Sequence, residues 1–144
     1  YLIEYNIRMG DPECQVILPR LKTDFLEILL KAVSNKLSTI KIKWKKYKSM
    51  TIVVCSRGYP GNYKKNKIIK NIEKPKLSSN DFIFHAGTKL QNKNILTNGG
   101  RVLNITSIGN NFFLIRKKII KIIKKIIWKD GFFRKDIGWK IINK

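Results

Sequence analysis

Glu4, Asn6 and Arg8 stand two residues apart in Tyr1-Leu2-Ile3-Glu4-Tyr5-Asn6-Ile7-Arg8, a run whose alternation predicts a strand. That spacing places all three on one strand face, with Ile3, Tyr5 and Ile7 on the other, turned toward a core. A carboxylate and an amide oxygen side by side are hard donors. They suit Mg²⁺, which takes one or two carboxylates, waters and substrate phosphates at roughly 2.1 Å. Arg8 on the same face can hold a phosphate or a developing oxyanion. The plain alternative is a solvated strand face, since Glu-x-Asn-x-Arg alone is a weak pattern.

Other reactive residues are few. The chain has 9 Asp and Glu against 31 Lys and Arg, yet Glu4, Asp11, Glu13, Asp24 and Glu27 fall within its first fifth. Carboxylates that persist together in so basic a chain point to chemistry there. His85 is the single histidine, set mid-strand among Phe82, Phe84 and Ala86 with no carboxylate near it in sequence. A structural role lining a cleft fits it better than acid–base work. Cys14 and Cys55 make neither a disulfide framework nor a metal quartet and read as small buried hydrophobes.

Several elements must position these residues. Met9-Gly10-Asp11-Pro12-Glu13 predicts a turn into a helix, with Asp11 as N-cap, Pro12 at the first helical position and Pro19 as the break. A second helix from Thr23 or Asp24 to about Asn35 should bury Phe25, Ile28, Leu29 and Ala32/Val33. The Lys-rich stretch 41–48 around Trp44 reads as a crossing to a second unit. There, strands are expected at 50–55, 82–88, 95–96 and 101–107, punctuated by Gly58-Tyr59-Pro60-Gly61, a turn at 91–94, and Gly99-Gly100. One long helix is expected over 111–128, then an edge strand and tail over 132–142. Its stripe of Ile115, Ile119, Ile122/Ile123 and Ile126/Ile127 opposes Lys117, Lys118, Lys121, Lys124 and Lys125. A membrane-surface helix shares that pattern, but a core-packed helix in a Lys-rich chain shows it too, and that reading is preferred.

With 144 residues the chain has room for one modest domain plus a piece of another. No run of about 18 apolar residues suggests a membrane span, and no secretory leader is evident. A cytoplasmic setting is expected. The net charge of +22 raises nucleic acid as a partner. However, Arg occurs only at 8, 20, 57, 101, 116 and 134, and the Lys excess travels with Ile and Asn, as in Lys65-Asn66-Lys67-Ile68-Ile69-Lys70-Asn71-Ile72. These three residues share A/T-rich codons, so bias at solvated positions explains the charge without a polyanion. Arg, the residue that forks onto guanine, is scarce, and Phe82 and Phe84 flank no Arg. A basic nucleic-acid-binding module remains the alternative; no specific nucleic acid and no membrane partner is the favoured expectation.

The segment Glu4-Tyr5-Asn6-Ile7-Arg8-Met9-Gly10-Asp11-Pro12-Glu13 resembles the Glu-x-Asn-x-Arg-Phe-Gly-Asp-Pro-Glu signature of glycinamide ribonucleotide synthetases. Leu18-Pro19-Arg20-Leu21, Gly58-Tyr59-Pro60-Gly61 with Tyr63, and Phe84-His85-Ala86-Gly87-Thr88 are also similar to that family. So are Thr97-Asn98-Gly99-Gly100-Arg101-Val102-Leu103 and Asp136-Ile137-Gly138-Trp139, all in the family's order. Three positions depart from it. Met9 replaces Phe, Asn66 replaces a glycine, and Arg57 stands where a small residue is usual.

The resemblance implies an α+β architecture. Residues 1–37 would be the tail of an ATP-grasp domain (strand plus helices), 38–48 a connector, and 49–144 a small β-rich carboxyl-terminal domain with one long helix. It implies Glu4 and Asn6 as ligands of Mg²⁺ (or Mn²⁺), with Arg8 stabilising an acyl phosphate and Asp11 orienting an amine. The implied reaction is an ADP-forming ligation of glycine to 5-phosphoribosylamine, with ATP as co-substrate, in purine biosynthesis. The nucleotide-binding amino-terminal lobes of that enzyme are partners this chain needs, so the chain alone is expected to be inactive.

Overall fold

The computed structural model describes residues 1–2, 5–126 and 128–142. Helices and antiparallel sheets combine in an α+β fold. Its centre is a pair of nine-residue strands, β1 (Lys48–Ser56) and β6 (Arg101–Gly109). Both are rich in β-branched residues, which pack well on a pleated surface. They run antiparallel, with Met50 opposite Ser107, Ile52 opposite Ile105 and Val54 opposite Leu103. β3 (Asp81–His85) flanks β6 and the two-residue β7 (Gly131–Phe132) flanks β1, giving the order β3-β6-β1-β7. A smaller sheet has the order β2-β5-β4, from Ile68–Ile69, Asn94–Thr97 and Thr88–Gln91.

The alternation of β1 and β6 sorts the main sheet into two faces. Met50, Ile52, Val54, Leu103 and Ile105 meet Ile115, Ile119 and Ile122 of helix α3 (Phe112–Ile123), together with Trp128. The isoleucine stripe is therefore core at Ile115, Ile119 and Ile122, with Ile123 and Ile126 partly buried against it; Ile127 lies outside the described residues. Asn111 caps this helix by accepting a hydrogen bond from the Leu114 amide at 3.1 Å. The regular helix stops at Ile123 rather than running to Trp128. Bonds from the amides of Lys125 and Ile126 reach only three residues back, and that tighter turn brings Trp128 into the core.

On the same side, Asp81 is fixed by four donors. Its Oδ2 accepts from the Ser78 amide (2.9 Å), Ser78 Oγ (2.7 Å) and Lys118 Nζ (2.8 Å), and its Oδ1 from Ser107 Oγ (2.7 Å). Burial alone would raise this carboxyl. The bonds from Lys118, Ser78 and Ser107 outweigh burial and hold it below the usual carboxylate value.

Besides the shorter α3, three further expectations are corrected in this half. The single strand expected over 82–88 divides into β3 and β4, which enter different sheets. The chain turns at Gly87, where a Cβ would lie 2.6 Å from the Arg101 carbonyl and 2.7 Å from Gly99 Cα. That close backbone approach, invisible in local sequence, ends the strand. The edge strand expected from Phe132 also shrinks to two residues. The carbonyls of Lys135 and Ile137 accept from the Arg116 guanidinium instead of joining a ladder, and the chain closes in a short helix α4 (Trp139–Ile142). His85 is exposed rather than cleft-lining, and its Nδ1 lies 2.9 Å from Thr88 Oγ1 across that same turn.

The amino-terminal part holds helix α1 (Glu13–Ile17), a 3-10 turn at Leu18–Arg20 and helix α2 (Phe25–Val33). Pro19 lies in that 3-10 turn, where it ends α1 as expected. Asp24 caps α2, its Oδ1 accepting from the amides of Leu26 (2.7 Å) and Glu27 (3.2 Å). Asn35, at φ 55°, ends it: the Lys36 amide bonds Lys31 O and the Asn35 amide bonds Ala32 O. Two expectations fail here. Of the face expected to be buried, Phe25, Leu29 and Val33 are 38%, 45% and 85% exposed, and Ile28 and Ala32 are only partly buried. Residues 5–8 form no strand, and Tyr5 and Ile7 are 86% and 104% exposed. A strand is held by neighbouring strands, and among the described residues neither sheet takes in residues 5–8. Ile3 and Glu4 lie outside the described residues.

Candidate functional site at the amino-terminal segment

Of the four residues expected to carry chemistry, Glu4 lies outside the described residues, and Asn6 and Arg8 sit on an exposed segment. Arg8 Nη1 donates to the Met9 carbonyl at 2.8 Å, which turns part of its guanidinium back on its own chain. Among the described residues no group of three or more His, Cys, Asp or Glu is placed to hold a metal ion.

Asp11 is built in differently from its expected place as helix N-cap. Helix α1 begins two residues later, with Pro12 at the cap position and no side-chain capping bond. The Asp11 carboxylate turns instead to the main sheet. Its Oδ1 accepts from Asn104 Nδ2 at 2.8 Å and from Gln15 Nε2 at 3.1 Å. Its Oδ2 lies 3.4 Å from Arg101 Nε, and its backbone carbonyl accepts from Arg101 Nη1 at 2.8 Å. Charge-assisted bonds to β6, 90 and more residues away, outcompete a local cap. Asp11 thus ties the amino-terminal segment to the sheet face opposite α3.

That face is polar where it meets the segment. Thr51 opposes Thr106 and Val53 opposes Asn104, and the two threonine hydroxyls bond at 2.8 Å. Asn104 has no accessible surface, and its Oδ1 has no partner among the described residues. Beside Asp11 opens a cavity of about 500 Å³ whose wall includes Pro12, Val53, Cys55, Tyr59, Arg101 and Phe132. Burial pushes the Cys55 thiol up, with Arg101 opposing and Asp11 adding to that shift. The thiol stays protonated at neutral pH and is no nucleophile. Cys55 is buried as expected, whereas Cys14 is only partly so.

Asn104, Arg101 and Gln15 were not singled out by their chemistry in the sequence. Asn104 did leave one signal. It interrupts the β-branched run Arg101-Val102-Leu103-Asn104-Ile105-Thr106 with an amide that a buried strand must satisfy.

Comparison with known proteins places this arrangement. The family described as Phosphoribosylglycinamide synthetase, C domain, matches residues 49–140, well over half of the chain. The chain belongs to this family.

Similarity of this C domain and its amino-terminal segment to curated proteins covers nearly all 144 residues. The chain is 42% identical to the chloroplastic phosphoribosylamine–glycine ligase of Arabidopsis thaliana, over 99% of this chain and 27% of that protein. It is 43% identical to the phosphoribosylamine–glycine ligase of Agrobacterium fabrum, over 98% of this chain and 33% of that protein. The fold is similar to the crystal structure of phosphoribosylamine–glycine ligase from Thermotoga maritima, with TM-score 0.69, 30% identity, and coverage of 94% of this chain and 33% of that one. The chain therefore spans a third or less of these relatives and corresponds to their carboxyl-terminal part.

Proposed function

We propose that the chain is the carboxyl-terminal part of a phosphoribosylamine–glycine ligase, the ATP-dependent enzyme that joins glycine to 5-phosphoribosylamine in purine biosynthesis. One observation carries this reading. Similarity to such ligases runs through 98–99% of the chain, beyond the matched domain and across the segment that holds Glu4, Asn6, Arg8 and Asp11. Residues 1–37 would close the ATP-grasp domain, 38–48 connect, and 49–144 form the C domain. The apolar side chains of Tyr5, Ile7, Leu26, Leu30 and Val33 that reach solvent suit a segment covered by the rest of such an enzyme. On this reading the chain alone is inactive, and the intact enzyme works in the cytoplasm on ATP, glycine and phosphoribosylamine.

Within the enzyme, glycine's carboxylate attacks the γ-phosphate of ATP, giving glycyl phosphate and ADP. The amine of phosphoribosylamine then displaces phosphate. Glu4 and Asn6 supply a carboxylate and an amide oxygen two residues apart, and Asn6 lies on a solvent-facing segment. That donor set fits a hard divalent cation, Mg²⁺ or Mn²⁺. When bound, such an ion would offset charge on the β- and γ-phosphates. Arg8 keeps guanidinium donors beyond the one spent on Met9 and stabilises the acyl phosphate or its oxyanion. Asp11 has its Oδ1 held by two N–H donors and its Oδ2 3.4 Å from Arg101 Nε, and the lone pair left on Oδ2 would orient the incoming amine.

The test is Glu4→Ala in the chain joined to the amino-terminal lobes. Loss of that carboxylate should lower kcat by on the order of 10²-fold or more, because charge on the transferring phosphoryl group goes unbalanced. A near-normal kcat would remove Glu4 from the role assigned to it.

A further inference from the structure

We infer that Asn104 and Arg101 are positioning residues for the ligase reaction, acting through Asp11 to fix the amino-terminal segment on the sheet. This rests on the functional reading above and adds to it two residues of the C domain itself. Three observations carry it. The first is convergence: Asn104 Nδ2 at 2.8 Å and Arg101 Nη1 at 2.8 Å reach the carboxylate and the backbone carbonyl of the same residue, Asp11. A side-chain grip and a main-chain grip together restrict both the position and the rotation of that residue. Two bonds to the side chain alone would leave the backbone free to pivot.

The second is the state of Asn104. It has no accessible surface, stands in the middle of a core strand, and leaves its Oδ1 without a partner among the described residues. An apolar residue there would avoid that cost. Among the described residues its side chain makes one hydrogen bond, to the Asp11 carboxylate of the neighbouring segment. The third is the location of the grip in the chain. Asp11 lies three residues after Arg8 and five after Asn6. Residues 5–8 form no regular structure, and Asp11 is the nearest residue behind Arg8 with side-chain bonds to the sheet. Their reach toward a bound nucleotide is set from there. A misplacement of 1 Å at such groups can cost on the order of 10²-fold in rate.

Neither residue needs to touch substrate for this effect. Gln15, the other donor to Oδ1, lies four residues from Asp11 on helix α1 and moves with it. Among the described residues, Asn104 and Arg101 carry the hydrogen bonds and the ion pair from Asp11 to the sheet, and α1 behind it adds packing against β1 and β6. Removing either should therefore free the segment while the sheet stays intact.

Two measurements on Asn104→Ala and Arg101→Gln test this. In the 144-residue chain, hydrogen exchange should rise between about 10- and 100-fold at amides 10–18, the loss expected for a bond to a charged partner, while β1 and β6 stay protected. In the chain joined to the amino-terminal lobes, kcat should fall about tenfold or more, with KM for ATP within about twofold of the parent. Arg101 is partly exposed, with 40% of its side chain accessible, so Arg101→Gln keeps the test open if Asn104→Ala fails to fold. Unchanged exchange at 10–18 in the folded variants would overturn the grip, and unchanged kcat would overturn its role in the reaction. A parent enzyme without ligase activity would refute the functional reading, and exchange would still decide the grip.

Discussion

Asp81→Ala should be the most damaging single change among the polar side chains that hold β3 to the main sheet. Its carboxylate is fully buried and receives four hydrogen bonds that join β3, the turn before it, β6 and α3. Truncation leaves Ser107 Oγ unpaired in a residue with no accessible surface, at a cost of about 1–3 kcal/mol. It also frees the Ser78 turn, worth about 1 kcal/mol by analogy with a helix cap. Lys118 contributes little, because 44% of its side chain is accessible and its ammonium can return to water. The expected loss is about 3 kcal/mol for Asp81→Ala and no more than about 1 kcal/mol for Lys118→Met. Urea unfolding followed by circular dichroism measures both, with the midpoint shifting at constant slope. The pH dependence adds a second signature. The native Asp81 carboxyl lies below its unfolded value of about 3.9. Its contribution is thus complete above about pH 5 and fades as pH falls through the unfolded value toward the native one. Asp81→Ala should lack that part of the acid loss. Equal costs for the two variants, or less than about 0.5 kcal/mol for Asp81→Ala, would refute the asymmetry.

Gly87→Ala should destabilise by about 1–3 kcal/mol, since backbone crowds that Cβ from two sides; thermal unfolding reads it. Lys93→Gly should raise stability by up to about 1 kcal/mol, because Asn92 and Lys93 both hold positive φ in the β4–β5 hairpin, where Asn-Gly is preferred. The apolar face of α2 should make the isolated chain self-associate, and Leu30→Ser with Val33→Ser should reduce that in sedimentation. Binding to random oligonucleotides should be sequence-indifferent and lost by about 150 mM salt; a selected sequence held at sub-micromolar affinity there would favour the nucleic-acid reading.

Where sequence pattern was self-sufficient, it located the fold. β1 and β6 were legible as β-branched runs, the β4–β5 turn as polar residues between short apolar pairs, and α3 as an isoleucine stripe. What escaped depended on partners. The alternation at 1–8 and the stripe of α2 tell which side chains would enter a core, but not whether a covering surface is present. Gly87 ends a strand because Arg101 and Gly99 approach it, and Asp11 abandons a cap because Arg101 and Asn104 outbid the local amides. Each of these is a contact between residues distant in sequence, and no local period encodes it. The candidate site was legible in part, through Asp11 and Arg8, while its supports on β6 showed only as one amide in an apolar strand.

The functional account is tested most directly by ADP release from the chain mixed with, or fused to, the amino-terminal lobes of a phosphoribosylamine–glycine ligase. The chain alone should release no ADP. With the lobes, ADP should appear only when glycine and ATP are both present, and glycinamide ribonucleotide should form in step with it when phosphoribosylamine is added. ADP release no greater than that of the lobes alone, in a complex shown to have formed, would contradict the account.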